Sequence, residues 1–388
     1  MHLMALARKY CPRTRWMSNT LTKMKLRKSS RFLLPEQQVL RGEAGAEARQ
    51  EILSWCRQHW SEAYQSAERD ARKDMDTAGV SASPESREIL ADILFCHFAY
   101  GFTSDEYFAF ALQAKSPEER RCYVSNRYRN RMAIALNDFF DAEIFLDKYR
   151  TYLEYRDVFK RDAVRIESDK DKPDFLAFVN RHASFIKKRV DLARGESVEL
   201  VSTDGDPMKN DALFREIRKS GTCILEECIR QGEALAVFHP ASVNTVRCVA
   251  FWGKDGVEIP YCILRTGRGG SVIDNASAGG ISAAIDPKTG IVTTDGMDER
   301  NHVFREHPDG HVTFKGCQLP EWPALLALID DIATRRQGIR FIGWDLAYST
   351  KGWCVVEGNF APQLEARQVL CGGMKEEFDR LMGQSLDA

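Results

Sequence analysis

Three side chains with oxygen donors lie close together near the C-terminus, at Asp345, Glu357 and Asn359. They belong to two short apolar runs joined by a turn, Ser349–Gly352. Because the faces of a strand alternate, Asp345 lies opposite the large apolar residues of its run, and Glu357 shares a face with Asn359. Carboxylate and amide oxygens suit a hard cation such as Mg²⁺, held together with a substrate phosphate. The pattern predicts a metal-binding β-hairpin, and the alternative is an exposed hairpin edge with incidental acids.

Two arginines lie inside apolar, β-branched segments that predict a pair of strands. Arg247 belongs to the segment 242–252 and Arg265 to the segment 258–266. A buried guanidinium without a partner is costly, so each arginine needs a partner unless its strand face points to solvent. Phosphate groups could be those partners, since the planar fork of arginine binds them better than lysine does.

Longer motifs surround these residues. In chain order they are His239–Arg247, Leu264–Gly270, Asp274–Ile281, Ile285–Gly290, His307-Pro308 and Trp344-Asp345. This series resembles the sugar-transfer-associated ATP-grasp family from about Asp147 to Asn359. The order Arg, Arg, Asn, Gly-Gly also resembles ATP-grasp ligases that add glutamate to carboxylates. The resemblance implies an ATP-grasp fold of the α+β class, in which two subdomains grip ATP.

The resemblance also implies a set of nucleotide contacts. Lys148, in an Asp-Lys pair that opens a helix, would contact the nucleotide phosphates. Lys188 would do so from a strand end, with Lys187 as the alternative, and Gly195 would belong to a glycine-rich flap. Ser197 replaces the second flap glycine and makes the backbone stiffer there.

Two further segments complete the site that the resemblance implies. In the strand-like run 222–229, Glu226 or Glu227 would reach the ribose, and their adjacency means that one of them must point away. Asn275, Gly279 and Gly280 resemble the family's substrate-side loop, where glycines let the backbone approach a ligand.

Together these parts predict an ATP-dependent carboxylate–amine ligase that works through an acyl phosphate, with ATP and Mg²⁺ as cofactors. Arg247 and Arg265 would stabilise the acyl phosphate and the oxyanion, and Asn275 would act beside them. The partners would be a small-molecule or glycan carboxylate and an amine, in surface polysaccharide or sugar-transfer pathways. The alternatives are a phosphotransferase acting on a sugar-like hydroxyl and a nucleotide-binding module without turnover.

Composition places limits on the class of protein. The chain has 388 residues, of which 44% are hydrophobic and 29% charged, so it can bury more than one core. Its formal net charge of −1 gives no reason to expect nucleic-acid binding. Eleven scattered cysteines without a Cys-x-x-Cys pair argue against a zinc site or a disulfide framework. Reduced thiols, together with the resemblance, predict a bacterial cytoplasmic protein.

The segments that must position the site divide the chain into four parts. Residues 1–35 hold nine lysines or arginines and no acid, and such a tail could lie peripherally on an anionic membrane or be a solvated extension. Residues 36–145 carry helical periodicity and predict a helical domain. Residues 146–235 and 236–388 would form the small and large ATP-grasp subdomains, the latter with the metal site.

Overall fold

The computed structural model describes residues 32–190, 198–271, 274 and 279–386. They form two compact units. One unit comprises the described residues up to Phe140 together with those from Gln363 onward, and the other is Asp141–Pro362. This division differs from the predicted one at the C-terminus, because the last segment belongs to the helical unit. The finer division of the second unit into subdomains stays a prediction.

The helical unit begins with eight helices that follow one another along the chain. They are α1 Glu36–Glu43, α2 Ala46–His59, α3 Ser61–Thr77, α4 Ser86–Ala99, α5 Ser104–Ala109, α6 Pro117–Arg121, α7 Asn126–Leu136 and α8 Phe139–Ala142, which reaches into the next unit. Helix α4 is buried on several sides, at Ile93, Phe95, Cys96 and Phe98, as expected of a central helix. Its Asp92 is buried as well, and therefore needs partners of opposite charge.

Those partners come from three other parts of the helical unit. Arg49 donates from Nη1 to Oδ1 of Asp92 at 2.8 Å, and Arg120 donates from Nη2 to Oδ2 at 2.7 Å. The hydroxyl of Tyr107 donates to Oδ2 at 2.7 Å. Arg120 Nε also donates to the carbonyl of Leu112 at 2.9 Å, so the cluster joins helices to the loop between them.

The second unit begins with a small sheet and the helices around it. In chain order these are α9 Lys148–Glu154, α10 Arg156–Phe159, β1 Ala163–Ile166, α11 Lys172–Arg181, β2 Ser184–Arg189, β3 Glu199–Ser202, α12 Pro207–Lys219 and β4 Cys223–Glu227. The strands form an antiparallel sheet in the order β1-β4-β2-β3. Phe175, Phe178 and Phe214, from helices α11 and α12, bury one face of it with Phe185 of β2. Helices on one face of an antiparallel sheet are an α+β arrangement.

A seven-stranded sheet follows. Its elements are α13 Glu233–Ala236, β5 Thr245–Gly253, β6 Gly256–Thr266, β7 Ile281–Ile285, β8 Gly296–Asp298, β9 Val303–Phe304, α14 Trp322–Thr334, β10 Phe341–Ser349 and β11 Gly352–Asn359. The strand order is β11-β10-β5-β6-β7-β8-β9, and every neighbouring pair is antiparallel. The predicted strand pair and the predicted hairpin are both present. Strand β10 lies inside the sheet, whereas β11 forms an edge.

The chain then returns to the helical unit with α15 Glu365–Cys371 and α16 Lys375–Leu386. Gln368 of α15 is buried, and its Oε1 accepts a hydrogen bond of 2.7 Å from the backbone nitrogen of Val124. Within the part of the chain that the structure describes, no helix has the length and apolar composition needed to cross a membrane.

Candidate active site

The sheet register brings the predicted metal ligands and arginines together. Asp345 on β10 lies directly opposite Glu357 on β11 and directly opposite Arg247 on β5. Arg265 on β6 pairs with Thr245, two residues before Arg247. Because directly paired residues share a face of the sheet, these side chains line one continuous charged surface. We call Asp345, Arg247, Arg265, Glu357 and Asn359 the charged face.

Asp345 is at the centre of the charged face. Arg247 donates to it in fork fashion, from Nε to Oδ1 at 2.7 Å and from Nη2 to Oδ2 at 2.7 Å. Arg265 adds a bond from Nη1 to Oδ2 at 3.0 Å. Asp345 is 4% exposed, so the exposed-edge alternative is wrong for this residue. The partner of both arginines is a protein carboxylate rather than the phosphate considered from the sequence.

Electrostatics in this cluster follow from burial and pairing. Burial opposes ionisation of Asp345, but the charges of Arg247 and Arg265 outweigh it and lower its pKa to about 2. Arg265 also pairs through Nη2 with Asp274 at 3.2 Å, and Thr245 donates to the same carboxylate. Burial raises the pKa of Asp274 despite the favourable charge of Arg265. The cluster therefore holds three carboxyl groups, of Asp345, Asp274 and Glu357, and two guanidiniums.

The oxygen atoms of Asp345, Glu357 and Asn359 can be compared with the ligands that Mg²⁺ prefers. Glu357 and Asn359 are half-buried, and Asn359 Nδ2 donates to Glu357 Oε1 at 3.1 Å. A carboxylate accepts about four hydrogen bonds, and the arginines use three of the sites on Asp345. Among the described residues no group of three or more His, Cys, Asp or Glu side chains converges on one point. Two carboxylates and one amide oxygen fit a hard cation that takes its remaining ligands from phosphate.

The small sheet distinguishes between the alternative lysines. Ile186 lies opposite Glu226, so Lys188, two residues further, shares the face of Glu226. Lys188 Nζ donates to Glu226 Oε2 at 2.9 Å. Lys187 points to the other face and pairs with Glu199 at 2.8 Å. The two lysines therefore lie on opposite faces of the small sheet, each paired with a glutamate.

Glu226 has a second partner that the sequence did not reveal. Arg161 donates from Nε and Nη2 to Glu226 Oε2 at 3.2 and 3.1 Å, and also to the carbonyls of Val355 and Val356 at 2.6 and 3.2 Å. Burial opposes ionisation of Glu226, but Arg161 and Lys188 lower its pKa to about 2. Arg161 thus connects the small sheet to the strand that carries Glu357. In the sequence it is one more charge between Lys160 and Asp162, with no spacing that marks it.

Glu226 and Glu227, the two residues predicted to reach the ribose, already have partners within the protein. The Glu226 carboxylate is already held by two cations. Glu227 is turned to the opposite face, where its Oε2 accepts a hydrogen bond of 3.0 Å from the backbone nitrogen of Asp162. A nucleotide contact from either side chain therefore requires a change in these contacts, and the predicted role stays a prediction.

Comparison with known proteins decides the family. The model of the family described as sugar-transfer associated ATP-grasp matches residues 170–377, which is more than half of the chain. The chain belongs to this family. Membership confirms the predicted fold class, an α+β ATP-grasp fold preceded by a mainly helical region. A search of curated proteins finds no match.

Several solved structures are distantly similar to this ATP-grasp chain. D-alanyl-alanine synthetase A from Vibrio cholerae has 8% identity and a TM-score of 0.41, over 64% of this chain and 67% of that one. The D-alanine-D-alanine ligase from Coxiella burnetii has 12% identity and a TM-score of 0.38, over 65% and 60% of the two chains. The D-alanine-D-alanine ligase from Helicobacter pylori has 15% identity and a TM-score of 0.38, over 64% of this chain and 61% of that one. The ATP-grasp chain spans about 60% of these two ligases, and likenesses this distant carry no argument about its activity.

The Asp-Lys pair of this ATP-grasp chain opens a helix, as predicted. The Asp147 side chain caps α9 by accepting from the backbone nitrogens of Tyr149 and Arg150, at 3.0 and 3.2 Å. Asp147 also pairs with Arg165 of β1 at 2.8 Å. Lys148 follows the cap, and its backbone nitrogen donates to the carbonyl of Val190 at 3.3 Å. Lys148 therefore lies close to the end of the strand that carries Lys188.

The predicted substrate loop lies next to Arg265 along the chain. Gly279 has a φ of 85°, a left-handed conformation that favours glycine, and Gly280 is buried. His239 Nε2 contacts the carbonyl of Gly269 at 2.9 Å, and His307 Nε2 contacts the carbonyl of Gly267 at 2.8 Å. Both imidazoles thus hold the start of the loop. Two predicted residues, Gly195 and Asn275, lie outside the described residues.

Proposed function

We propose that this chain is an ATP-dependent carboxylate–amine ligase that forms an amide bond through an acyl phosphate. Its pathway would be surface polysaccharide or sugar-transfer-linked biosynthesis, in a bacterial cytoplasm. The observation that carries the proposal is the charged face, where Asp345 orients two arginines beside Glu357 and Asn359. Membership of the ATP-grasp family supports ATP as the phosphoryl donor.

The arginines would act on the oxyanions of the reaction. Asp345 fixes the Arg247 fork and one nitrogen of Arg265, so both guanidiniums are oriented before any substrate binds. A guanidinium presents a planar fork of N–H donors. Oriented in this way, the two forks would stabilise negative charge that develops on the acyl phosphate and on the tetrahedral oxygen. No protein nucleophile is needed.

The metal would be held by Asp345, Glu357 and Asn359. When bound, Mg²⁺ supplies neutralisation of phosphate charge as the phosphoryl group moves. Asp345 and Glu357 provide carboxylate oxygens, and Asn359 provides an amide oxygen if its side chain turns that atom toward the ion. Because Nδ2 is the atom that donates to Glu357 Oε1, the amide oxygen of Asn359 is not used in this contact.

The lysines would bind the nucleotide phosphates. The ammonium of Lys188 has three donors, and the contact with Glu226 occupies one of them. Lys148 would approach from the start of α9. With both substrates bound, the acceptor carboxylate would attack the γ-phosphorus of ATP, and ADP would leave. The amine would then attack the acyl carbon of the acyl phosphate. Inorganic phosphate would leave and take up the proton that the amine loses.

Product stoichiometry tests the proposal. The full chain is incubated with Mg²⁺ and ATP and a panel of uronic acids and amines, while ADP and inorganic phosphate are measured. We expect equal amounts of both products, and both should require carboxylate and amine together. A stable phosphorylated product formed without amine would establish a phosphotransferase instead. Nucleotide binding without turnover across the panel would favour a binding module.

A further inference from the structure

An open cleft of about 480 Å³ lies on the second unit, and none of its lining residues belongs to the charged face. Seven charged residues line it, five basic and two acidic. They are Arg156, Lys160, Arg161, Asp162, Arg181, Glu227 and Lys351. The formal charge of the lining is therefore +3 (five minus two).

The two acids of the cleft are already in use. Asp162 accepts from Arg181 Nη2 at 2.6 Å and contacts His182 Nε2 at 3.2 Å. Side-chain hydrogen bonds from these residues outweigh burial and lower the pKa of Asp162. Glu227 accepts from the backbone nitrogen of Asp162. The nearest recorded lysine, Lys351, is 3.9 Å from Glu227, a distance that leaves a weak ion pair. The acids thus do little to neutralise the lysines.

The lysines are held by backbone oxygens instead. Lys160 Nζ donates to the carbonyl of Lys351 at 3.2 Å, and Lys351 Nζ donates to the carbonyl of Lys160 at 3.1 Å. An ammonium has three donors, so each reciprocal bond positions a full positive charge and leaves donors for a ligand. Lys160 also has a φ of 52°, in the left-handed region where glycine is normally favoured at the end of a helix. A lysine at that position keeps a charge at the mouth of the cleft.

The cleft and the proposed nucleotide site lie on opposite sides of strand β4. Glu227 lines the cleft, whereas the adjacent Glu226 faces Lys188. Arg161 belongs to both surroundings, because it lines the cleft and also binds Glu226. The cleft therefore lies on the face of β4 opposite to Lys188, and Arg161 connects the two faces.

We propose that this cleft is a second anion-binding site, which takes a small ligand carrying phosphate groups. Its volume suits a small molecule. Arg156 offers a planar fork for phosphate oxygens, and Lys160 and Lys351 offer point charges, whereas the fork of Arg181 is bound to Asp162. The site goes beyond the proposed ligase chemistry, since it shares no residue with the charged face and requires no turnover.

Titration calorimetry with inorganic pyrophosphate tests the site on the full chain. Lys160→Gln and Lys351→Gln remove one charge each, whereas Lys254→Gln removes an exposed charge from the turn between β5 and β6. Lys188→Gln is a second control, because Lys188 is a predicted nucleotide ligand that does not line the cleft. We expect a binding component that survives Lys188→Gln and Lys254→Gln and weakens roughly tenfold in each cleft variant. It should also weaken as salt is raised.

The opposite pattern would overturn the inference. Pyrophosphate binding that Lys188→Gln abolishes and that both cleft variants leave unchanged belongs to the nucleotide site alone. Absence of any binding at millimolar pyrophosphate likewise contradicts a second site. Circular dichroism of the variants shows whether a loss arises from misfolding, and two separate lysine variants guard against that case. Neither outcome depends on whether the chain proves to be a ligase.

Discussion

Each unit of the molecule contains a buried aspartate bound by two arginines. In the helical unit Asp92 is bound by Arg49 and Arg120, and in the second unit Asp345 is bound by Arg247 and Arg265. The contact distances are alike, between 2.7 and 3.0 Å. Local pairing therefore does not separate the structural cluster from the candidate site.

The difference lies in the neighbours. Around Asp92, the Tyr107 hydroxyl fills another acceptor site, and Arg120 also donates to the carbonyls of Leu112 and Lys115. Around Asp345, the additional groups are carboxyl groups, those of Asp274 and Glu357. One carboxylate faces two guanidiniums in the first cluster, whereas three carboxyl groups face two guanidiniums in the second. The additional carboxyl groups of the second cluster are the basis for the cation that we propose there, and the first cluster offers no such groups.

The largest expected contrast comes from Glu357→Gln and Asp92→Asn. Glu357→Gln removes a predicted metal ligand but no recorded arginine partner, so turnover should fall by about 100-fold or more while the melting temperature changes little. Asp92→Asn leaves the buried guanidinium of Arg120 and the half-buried guanidinium of Arg49 without their carboxylate, and should cost about 3–5 kcal/mol of stability. Turnover per folded molecule should be unchanged there. Steady-state ADP release and thermal melting measure both.

Near-normal turnover of Glu357→Gln at ordinary Mg²⁺ concentrations would remove the metal site from consideration. Asp345→Asn is the less informative variant. It would also leave Arg247 and Arg265 without their carboxylate, so a loss of activity would combine two causes.

Arginine-to-lysine changes sharpen the comparison. Arg265 reaches Asp345 from Nη1 and Asp274 from Nη2, a geometry that a single ammonium cannot reproduce. Arg265→Lys should therefore lower kcat roughly 100-fold through loss of oxyanion stabilisation, while ATP affinity is retained. Arg120→Lys in the helical unit should lower stability and leave kcat unchanged. Equal effects of the two variants on kcat would contradict a catalytic role for Arg265.

We expect substitution of Arg161 to have an effect of intermediate size, on nucleotide affinity. Arg161→Gln leaves Glu226 with Lys188 as its remaining recorded cation, so the carboxylate should hold that ammonium more tightly and weaken nucleotide binding roughly tenfold. Adding Glu226→Gln removes the unpaired charge and should restore part of the lost stability. Fluorescent-nucleotide titration and melting curves of both variants measure this. Unchanged nucleotide affinity in Arg161→Gln would show that the bridge is only structural.

The smallest expected effect is a difference in pH dependence between the units. Asp345 and Glu226 have pKa values lowered to about 2, so their stabilisation is complete above about pH 4.5 and is lost as the pH falls through the folded values. Glu106 of α5 behaves in the opposite way, because burial and the charge of Glu365 raise its pKa to about 8. Glu106 therefore stays protonated to a higher pH in the folded state than in the unfolded state. Its contribution to the free energy of unfolding decreases as the pH rises from about 4.5 to 8.

Hydrogen exchange of amides in α5 and in β10 separates the two responses. Protection in β10 should fall on acidification below about pH 4, and protection in α5, corrected for intrinsic exchange, should fall toward pH 8. Glu106→Gln is the matched control, since it should remove the second response and leave the first. The same pH dependence in both elements would contradict the assignment.

Local sequence patterns predicted several elements correctly. Alternation placed Asp345 and Glu357 in a hairpin, and apolar, β-branched composition predicted the strands of Arg247 and Arg265. These predictions hold because the period of a strand and the residues of its turn are properties of neighbours in the chain. The same reasoning could state that one of Glu226 and Glu227 points away, but could not state which one.

The sequence by itself determined the family, the hairpin and the kinds of residue at the site, because motifs and periodicity are local. Only the tertiary structure decided which charges meet. The register of β10 with β5 paired Asp345 with Arg247, and the pairing of β1 with β4 brought Arg161 to Glu226. It also decided that the last two helices return to the helical unit. Such contacts join residues far apart in the chain, and their free energy depends on burial that no local pattern records.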